Sequence, residues 1–102
     1  MEYKLIFDKK FAKAFWKLDP SIRNQAEKKI RKLKEFPKEI GKPLRYFTNL
    51  YELHVQMFRI FYLVQDNEVK VLLIGLEHKD ECDKYLKQLT KDKIKQLIEE
   101  NS

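Results

Sequence analysis

Residues 51–64, Tyr51-Glu52-Leu53-His54-Val55-Gln56-Met57-Phe58-Arg59-Ile60-Phe61-Tyr62-Leu63-Val64, decide the fold. Tyr51, Leu53, Val55 and Met57 alternate with Glu52, His54 and Gln56. Successive strand side chains point to opposite faces, so this period of two describes a half-buried strand with Glu52 and His54 side by side on its polar face. Phe58 to Val64 is then apolar almost throughout, as in a central strand covered on both sides. Arg59 is the one interruption, and a lone guanidinium in such a setting is costly unless it has a partner or faces a cleft.

Working outward, Asp66-Asn67 marks a tight turn, and residues 69–76 form a further apolar strand. Connections this short produce an antiparallel meander. The segment Glu77-His78-Lys79-Asp80-Glu81-Cys82-Asp83-Lys84-Tyr85 closes the last strand, and a meander brings it towards Arg59. On the other side, Leu44-Arg45-Tyr46-Phe47 reads as a short strand, with Arg45 and Phe47 on one side and Leu44 and Tyr46 on the other.

Before residue 44 the period is mostly helical. Residues 2–7 are rich in strand formers and predict a first strand. Asp8 offers an N-cap to a helix over 9–18 carrying Phe11, Phe15 and Leu18. Asp19-Pro20 caps and starts a second helix, roughly 20–36, with Ile22, Ala26, Ile30, Leu33 and Phe36 on one face. Its opposite face holds Arg23, Lys28, Arg31, Lys32 and Lys34. Pro37, Gly41 and Pro43 mark a loop. Residues 80–100 return to helical character, with Thr90 as cap of a last helix beginning near Lys91.

The expected class is therefore α+β: an N-terminal strand, a helical hairpin, an antiparallel three- to four-stranded meander and a C-terminal helix. The hairpin is expected to cover one sheet face and leave the other partly open. A length of 102 residues fits a single domain, 1–102. An apolar content of 43% excludes a disordered chain. Cys82 is the only cysteine, which excludes an internal disulfide and, with no signal peptide, places the chain in the cytoplasm. No apolar run is long enough to span a bilayer, so no membrane partner is expected. His54, His78 and Cys82 lack metal-ligand spacing, so neither a metal nor another cofactor is expected. The net charge of +6 is concentrated in residues 1–43, with 13 Lys/Arg against 6 Asp/Glu, and suggests an anionic partner.

Several fragments, in this order, resemble the RelE/ParE toxin superfamily, RelE-like branch, over nearly the whole chain. They are the first strand running into Asp8, the Pro20-begun basic helix, and the loop into Leu44-Arg45. Tyr51-Glu52-Leu53, Phe58-Arg59-Ile60-Phe61-Tyr62, and His78-Lys79 followed by Tyr85 complete the set. The resemblance implies the toxin of a toxin–antitoxin pair, held inactive by a cognate RelB-like antitoxin. It implies a RelE-like fold and a metal-free mRNA interferase, a ribosome-dependent endoribonuclease that inhibits translation. Cleavage would proceed by attack of a ribose 2′-hydroxyl on the adjacent phosphate, with ribosome and mRNA as partners. The antitoxin complex can also bind operator DNA. Two alternatives stay open: a ParE-like non-catalytic inhibitor of DNA gyrase, and a degenerate member that only co-regulates transcription.

Carried over residue by residue, Arg59 matches the arginine that contacts the scissile phosphate, and Tyr85 the aromatic that orients a base. Lys79 stands where relatives carry an arginine, which keeps the charge but loses the bidentate fork. Arg45 matches a basic residue before the meander. Glu52 and His54 stand where the best-known branch has lysines, although related toxins use a glutamate and a histidine. The chemistry needs a base, cations for the phosphorane and an acid for the leaving 5′-oxygen. Arg59 and Lys79 supply cations, Glu52 or His54 a base, and His78 or Tyr85 an acid. His78, Arg31, Lys32 and Arg45 are the candidate RNA-binding residues. The plainer alternatives are an ion-paired Arg59, a core Tyr85, surface histidines, a packed Cys82 and a merely solvated basic face.

Overall fold

The computed structural model describes residues 2–102. Five strands form one sheet: β1 (Lys4–Phe7), β2 (Lys42–Pro43), β3 (Leu50–Val55), β4 (Phe58–Gln65) and β5 (Lys70–His78), in the order β1-β5-β4-β3-β2. The meander is present as β2 to β5, antiparallel throughout. Strand β1 extends it by lying parallel to β5, a pairing that needs the intervening chain as crossover.

Two layers of helix enclose the sheet. Helices α1 (Lys9–Trp16) and α2 (Pro20–Lys32) place Phe11, Ala26, Ile30 and Leu33 against Leu53, Val55, Ile60, Tyr62 and Leu73 on the first face. The expected caps are in place. Asp8 accepts from the Lys10 N–H, Asp19 from Ser21, and Thr90 from Lys93. Each satisfies one of the amides a helix start leaves unpaired. Both helices stop short of the expected ends, because Leu18 and Leu33 reach the core from the turns that follow. Phe36 is exposed, and Pro37–Ile40 forms a separate one-turn helix, α3. The buried Tyr62 hydroxyl donates to the Pro37 carbonyl at 2.6 Å, and burial pushes its pKa up. A side chain at Gly41 would collide with that hydroxyl, with a Cβ only 1.9 Å away, so the loop into β2 is fixed from the core.

The second face, expected to be partly open, is covered over most of its length. Helices α4 (Cys82–Gln88) and α5 (Lys91–Glu100) bury Leu89 and Leu97 against Leu50, Phe61, Leu63, Leu72 and Ile74. The apolar positions of residues 85–98 thus dock on their own domain, and Asn101 donates to the buried Asp8 carboxylate at 3.1 Å.

Three strand boundaries also differ from the alternation reading. Residues 44–47 form a turn, with Tyr46 at φ 70° and Asn49 at φ 59°, while the short strand is Lys42–Pro43. Four alternating residues fit a turn as well as a strand, and a non-glycine at positive φ leaves little mark on sequence. Strand β3 ends at Val55, because Gln56 at φ 55° turns the chain and leaves Met57 48% exposed. Strand β5 begins at Lys70, after a short 3₁₀ turn at Asp66–Glu68 and a left-handed Val69. Among the described residues no helix is long and apolar enough to cross a membrane.

Candidate active site

The registers of β3, β4 and β5 assemble the site. His54 lies opposite Arg59, and Arg59 opposite Glu77. Directly opposed residues of antiparallel strands hold their Cβ atoms about 5 Å apart on one face, so these three form a row across the sheet. One step inward, Glu52, Phe61 and Gly75 form the next row, and β2 adds Lys42 opposite Glu52. Both rows lie on the α4–α5 face. The helices cover Phe61, and the outer row lies at a more open end, with His54 exposed and Arg59 and Glu77 half-buried.

Arg59 is held by its own turn. Its Nη1 donates to the carbonyls of Gln56 at 3.0 Å and Phe58 at 2.9 Å. A guanidinium has five N–H donors. Two are used, which leaves Nε and Nη2 for an oxyanion while the charge stays fixed. The turn is closed from the other side by the Lys79 amide, which donates to the Met57 carbonyl at 2.7 Å. The exposed Lys79 therefore stands directly after the end of β5, beside this turn.

Glu52 and His54 meet as their i, i+2 spacing requires, with His54 Nε2 3.3 Å from Glu52 Oε2. The Glu52 side chain is 17% exposed and His54 50%. The carboxylate is thus the inner, positioning partner and the imidazole the accessible one. Lys29 Nζ donates to the His54 carbonyl at 2.7 Å and anchors this strand end to α2.

Tyr85 borders the row from α4. Its ring stacks on Phe61, centroids 4.8 Å apart at 24°, and its hydroxyl lies over Gly75. A Cβ at position 75 would come within 2.3 Å of that oxygen, so the glycine is what admits the tyrosine. Burial, with the charges of Glu77 and Asp8 behind it, pushes the phenol pKa well up. Burial also raises the Glu77 carboxyl, and Glu81 adds to the rise. The pKa of the neighbouring Cys82 thiol is raised by burial and by Glu52, against Arg59, which favours the protonated form.

Three sequence candidates lie elsewhere, and a fourth, Lys32, flanks the site. His78 projects to the opposite face, edge-on to Phe58 at 5.6 Å, and its Nδ1 accepts from the Asp80 amide to cap a 3₁₀ turn. Arg45 lies beyond the far end of β3, over the Tyr46 ring. Arg31 pairs with Glu27 on the outer side of α2. Lys32 lines a groove beside Glu52 and His54. Glu77 belongs to the strand end expected to lie towards Arg59, and the β4–β5 register sets it directly opposite. Gly75 escaped the sequence reading, although it is one of only two glycines, set inside an apolar strand.

Residues 5–81 match the family model described as the ParE toxin of type II toxin–antitoxin systems, parDE. The chain belongs to this family. Among curated proteins it is similar to the mRNA interferase toxin RelE of Escherichia coli K12, 29% identical over 87 residues, covering 83% of this chain and 92% of the relative. Among solved structures it resembles a mutant E. coli RelE toxin in the free state. The TM-score is 0.72 at 31% identity, covering 83% of this chain and 92% of the other. It also resembles a chain of the intact E. coli RelBE toxin–antitoxin complex, with a TM-score of 0.69 at 29% identity over 74% of this chain and 95% of that one. The RelE-like fold expected from the sequence is the fold observed.

Proposed function

We propose that this toxin is an mRNA interferase that cleaves messages on the ribosome and so inhibits translation. The observation that carries the reading is the row His54–Arg59–Glu77 with Glu52, Lys79 and Tyr85 around it, partly exposed at the end of an otherwise enclosed sheet. Such a row joins a fixed cation to an accessible imidazole backed by a carboxylate.

In this mechanism the Glu52 carboxylate, 3.3 Å from Nε2 of His54, favours a proton there and so leaves the lone pair on Nδ1. That nitrogen takes the proton of a ribose 2′-hydroxyl. The 2′-oxygen attacks the adjacent phosphorus, and the bond from phosphorus to the 5′-oxygen breaks. The products are a 2′,3′-cyclic phosphate and a 5′-hydroxyl. Arg59 and Lys79 offset the charge on the phosphorane, where fixed cations act most strongly. Of the two acids named from sequence, only Tyr85 borders the row. Its phenol keeps its proton at neutral pH and yields it only to a strong base, such as a leaving alkoxide. The scheme draws every group from the chain or the RNA and calls on no metal. Chelation at constant free magnesium, which the ribosome itself needs, is expected to leave the rate unchanged.

The partners follow from the same reading: a cognate RelB-like antitoxin, the ribosome and its mRNA in the cytoplasm, and operator DNA for the antitoxin complex. The ParE description of the matched family favours one rival, a gyrase inhibitor that cuts nothing. Pulse-labelled protein synthesis and plasmid supercoiling, followed after induction, separate the two. Translation should stop first; lost supercoiling with translation intact would replace this reading.

A further inference from the structure

We propose that Lys29, Lys32 and Lys42 form a second anion-binding groove along the β3 edge, which holds the phosphate backbone of the substrate RNA as it leaves the cleavage site. This rests on the RNA-cleaving reading above and extends it beyond the scissile phosphate.

The groove has a volume of about 490 Å³ and lies between α2, the loop at Ile40–Gly41 and the edge of β3. All three lysines line it, together with Glu52 and His54, so it opens directly off the proposed base. Its geometry follows from β2 being only two residues long. Lys42 pairs with Glu52 and Pro43 with Tyr51, and the sheet edge beyond them has no neighbouring strand. Lys29 fills that vacancy from α2 by donating to the outward carbonyl of His54. Lys32 follows one turn further along the same helix. The three lysines come from two elements, and the backbones of both are held in place. Helix α2 is docked through Ala26, Ile30 and Leu33, and the Gly41 loop is held by the Tyr62 hydroxyl beneath it.

Three lysines and one carboxylate, Glu52, line the groove, which leaves it net positive. Arg31, Lys38 and Lys70 each reach a carboxylate within ion-pair distance. Among the described residues Lys29, Lys32 and Lys42 do not. The one carboxylate in the groove, Glu52, is turned to His54. Three ammoniums around a concave surface, two of them from one helix, raise the local potential for a polyanion. A single strand lying across Glu52 and His54 would pass over the β3 edge into this groove.

Binding of a fluorescein-labelled 2′-O-methyl octanucleotide, which cannot be cleaved, tests the proposal. Each lysine–phosphate contact on a single strand contributes about 0.7 to the slope of log affinity against log salt. The variant K32A/K42A should therefore lower the slope by about 1.4, two contacts' worth, and weaken binding at low salt. The variant K9A/K13A removes the same charge from the exposed face of α1 and should leave the slope unchanged. No measurable binding by the wild-type chain at low salt, equal slope changes in the two variants, or no change in K32A/K42A would each overturn the proposal. Cleavage on programmed ribosomes keeps the two readings apart. A groove that binds in a chain that never cuts removes the nuclease reading. A chain that cuts, with K32A/K42A unaltered in KM and in salt slope, removes the groove.

Discussion

The two ends of the α4–α5 face differ sharply although the same strands build both. At one end Leu50, Leu63 and Leu72 lie under Ile94, Leu97 and Ile98. At the other end, a few residues along each strand, the same face presents Glu52, His54, Arg59 and Glu77. The helices cover the first and leave the second more open. Covered positions carry apolar side chains because burial there contributes stability, whereas uncovered positions are free to carry charge. Stability and chemistry are thus separable along one strand, and substitutions at the two ends should report on different quantities.

The largest effect on stability belongs to the covered end. Leu72→Ala, at 1% exposure, should destabilise the fold by about 2–5 kcal/mol, the usual range for a buried leucine. Urea unfolding would measure it; a loss below about 1 kcal/mol would mean that this end is not a packed core. At the boundary, Gly75→Ala forces the Tyr85 hydroxyl away and should cost about 1–3 kcal/mol from overpacking. It should also lower cleavage while leaving the Glu52–His54 pair in place. If Gly75→Ala is neutral in both assays, Tyr85 does not occupy the position described.

The smallest effect is a pH dependence. Tyr62 and Tyr85 both have phenol pKa values raised by burial above the ordinary 10.0. A raised folded pKa means that the native state keeps its proton longer than the unfolded chain. Stability from this source is complete below pH 10 and is lost as pH climbs from there through the folded values. Each phenol contributes at most about 1.4 kcal/mol per pH unit in that window. Urea midpoints between pH 9 and 11 should fall, and Tyr85→Phe should make the fall shallower. An identical slope in the variant would remove Tyr85 from the account.

Much of this division was legible in the residues. The alternation at 51–55, the charge at Arg59 and the caps Asp8, Asp19 and Thr90 all carry local signals, and each forms the element it predicts. What failed was of two kinds. Short turns at 44–47 and 56–57 depend on positive φ at Tyr46, Asn49 and Gln56, which those side chains do not announce. Non-local pairing was legible only in part. Short connections predict the meander and bring the 77–85 segment towards Arg59, but the parallel docking of β1 on β5 and the direct pairing of Glu77 with Arg59 are set by register. His78 turns to the opposite face from Glu77, as strand alternation requires. Glu52 and His54 were found because their partnership is local, whereas Lys42 beside Glu52 required the two-residue β2.

The central claim is that the more open end cuts RNA, and Arg59 is its fixed cation. The most direct test is primer extension on translated messages after induction, comparing wild type with Arg59→Ala at matched levels of folded protein. Discrete breaks within translated messages are expected for wild type. They should be reduced on the order of 10²-fold or more in the variant, the usual cost of removing one preorganised group from a transition state. Urea unfolding of the variant should stay within about 1 kcal/mol of wild type, because Arg59 lies outside the packed core. Intact messages under a growth-arresting wild-type toxin, or a folded Arg59→Ala variant that cleaves at the wild-type rate, would contradict the account.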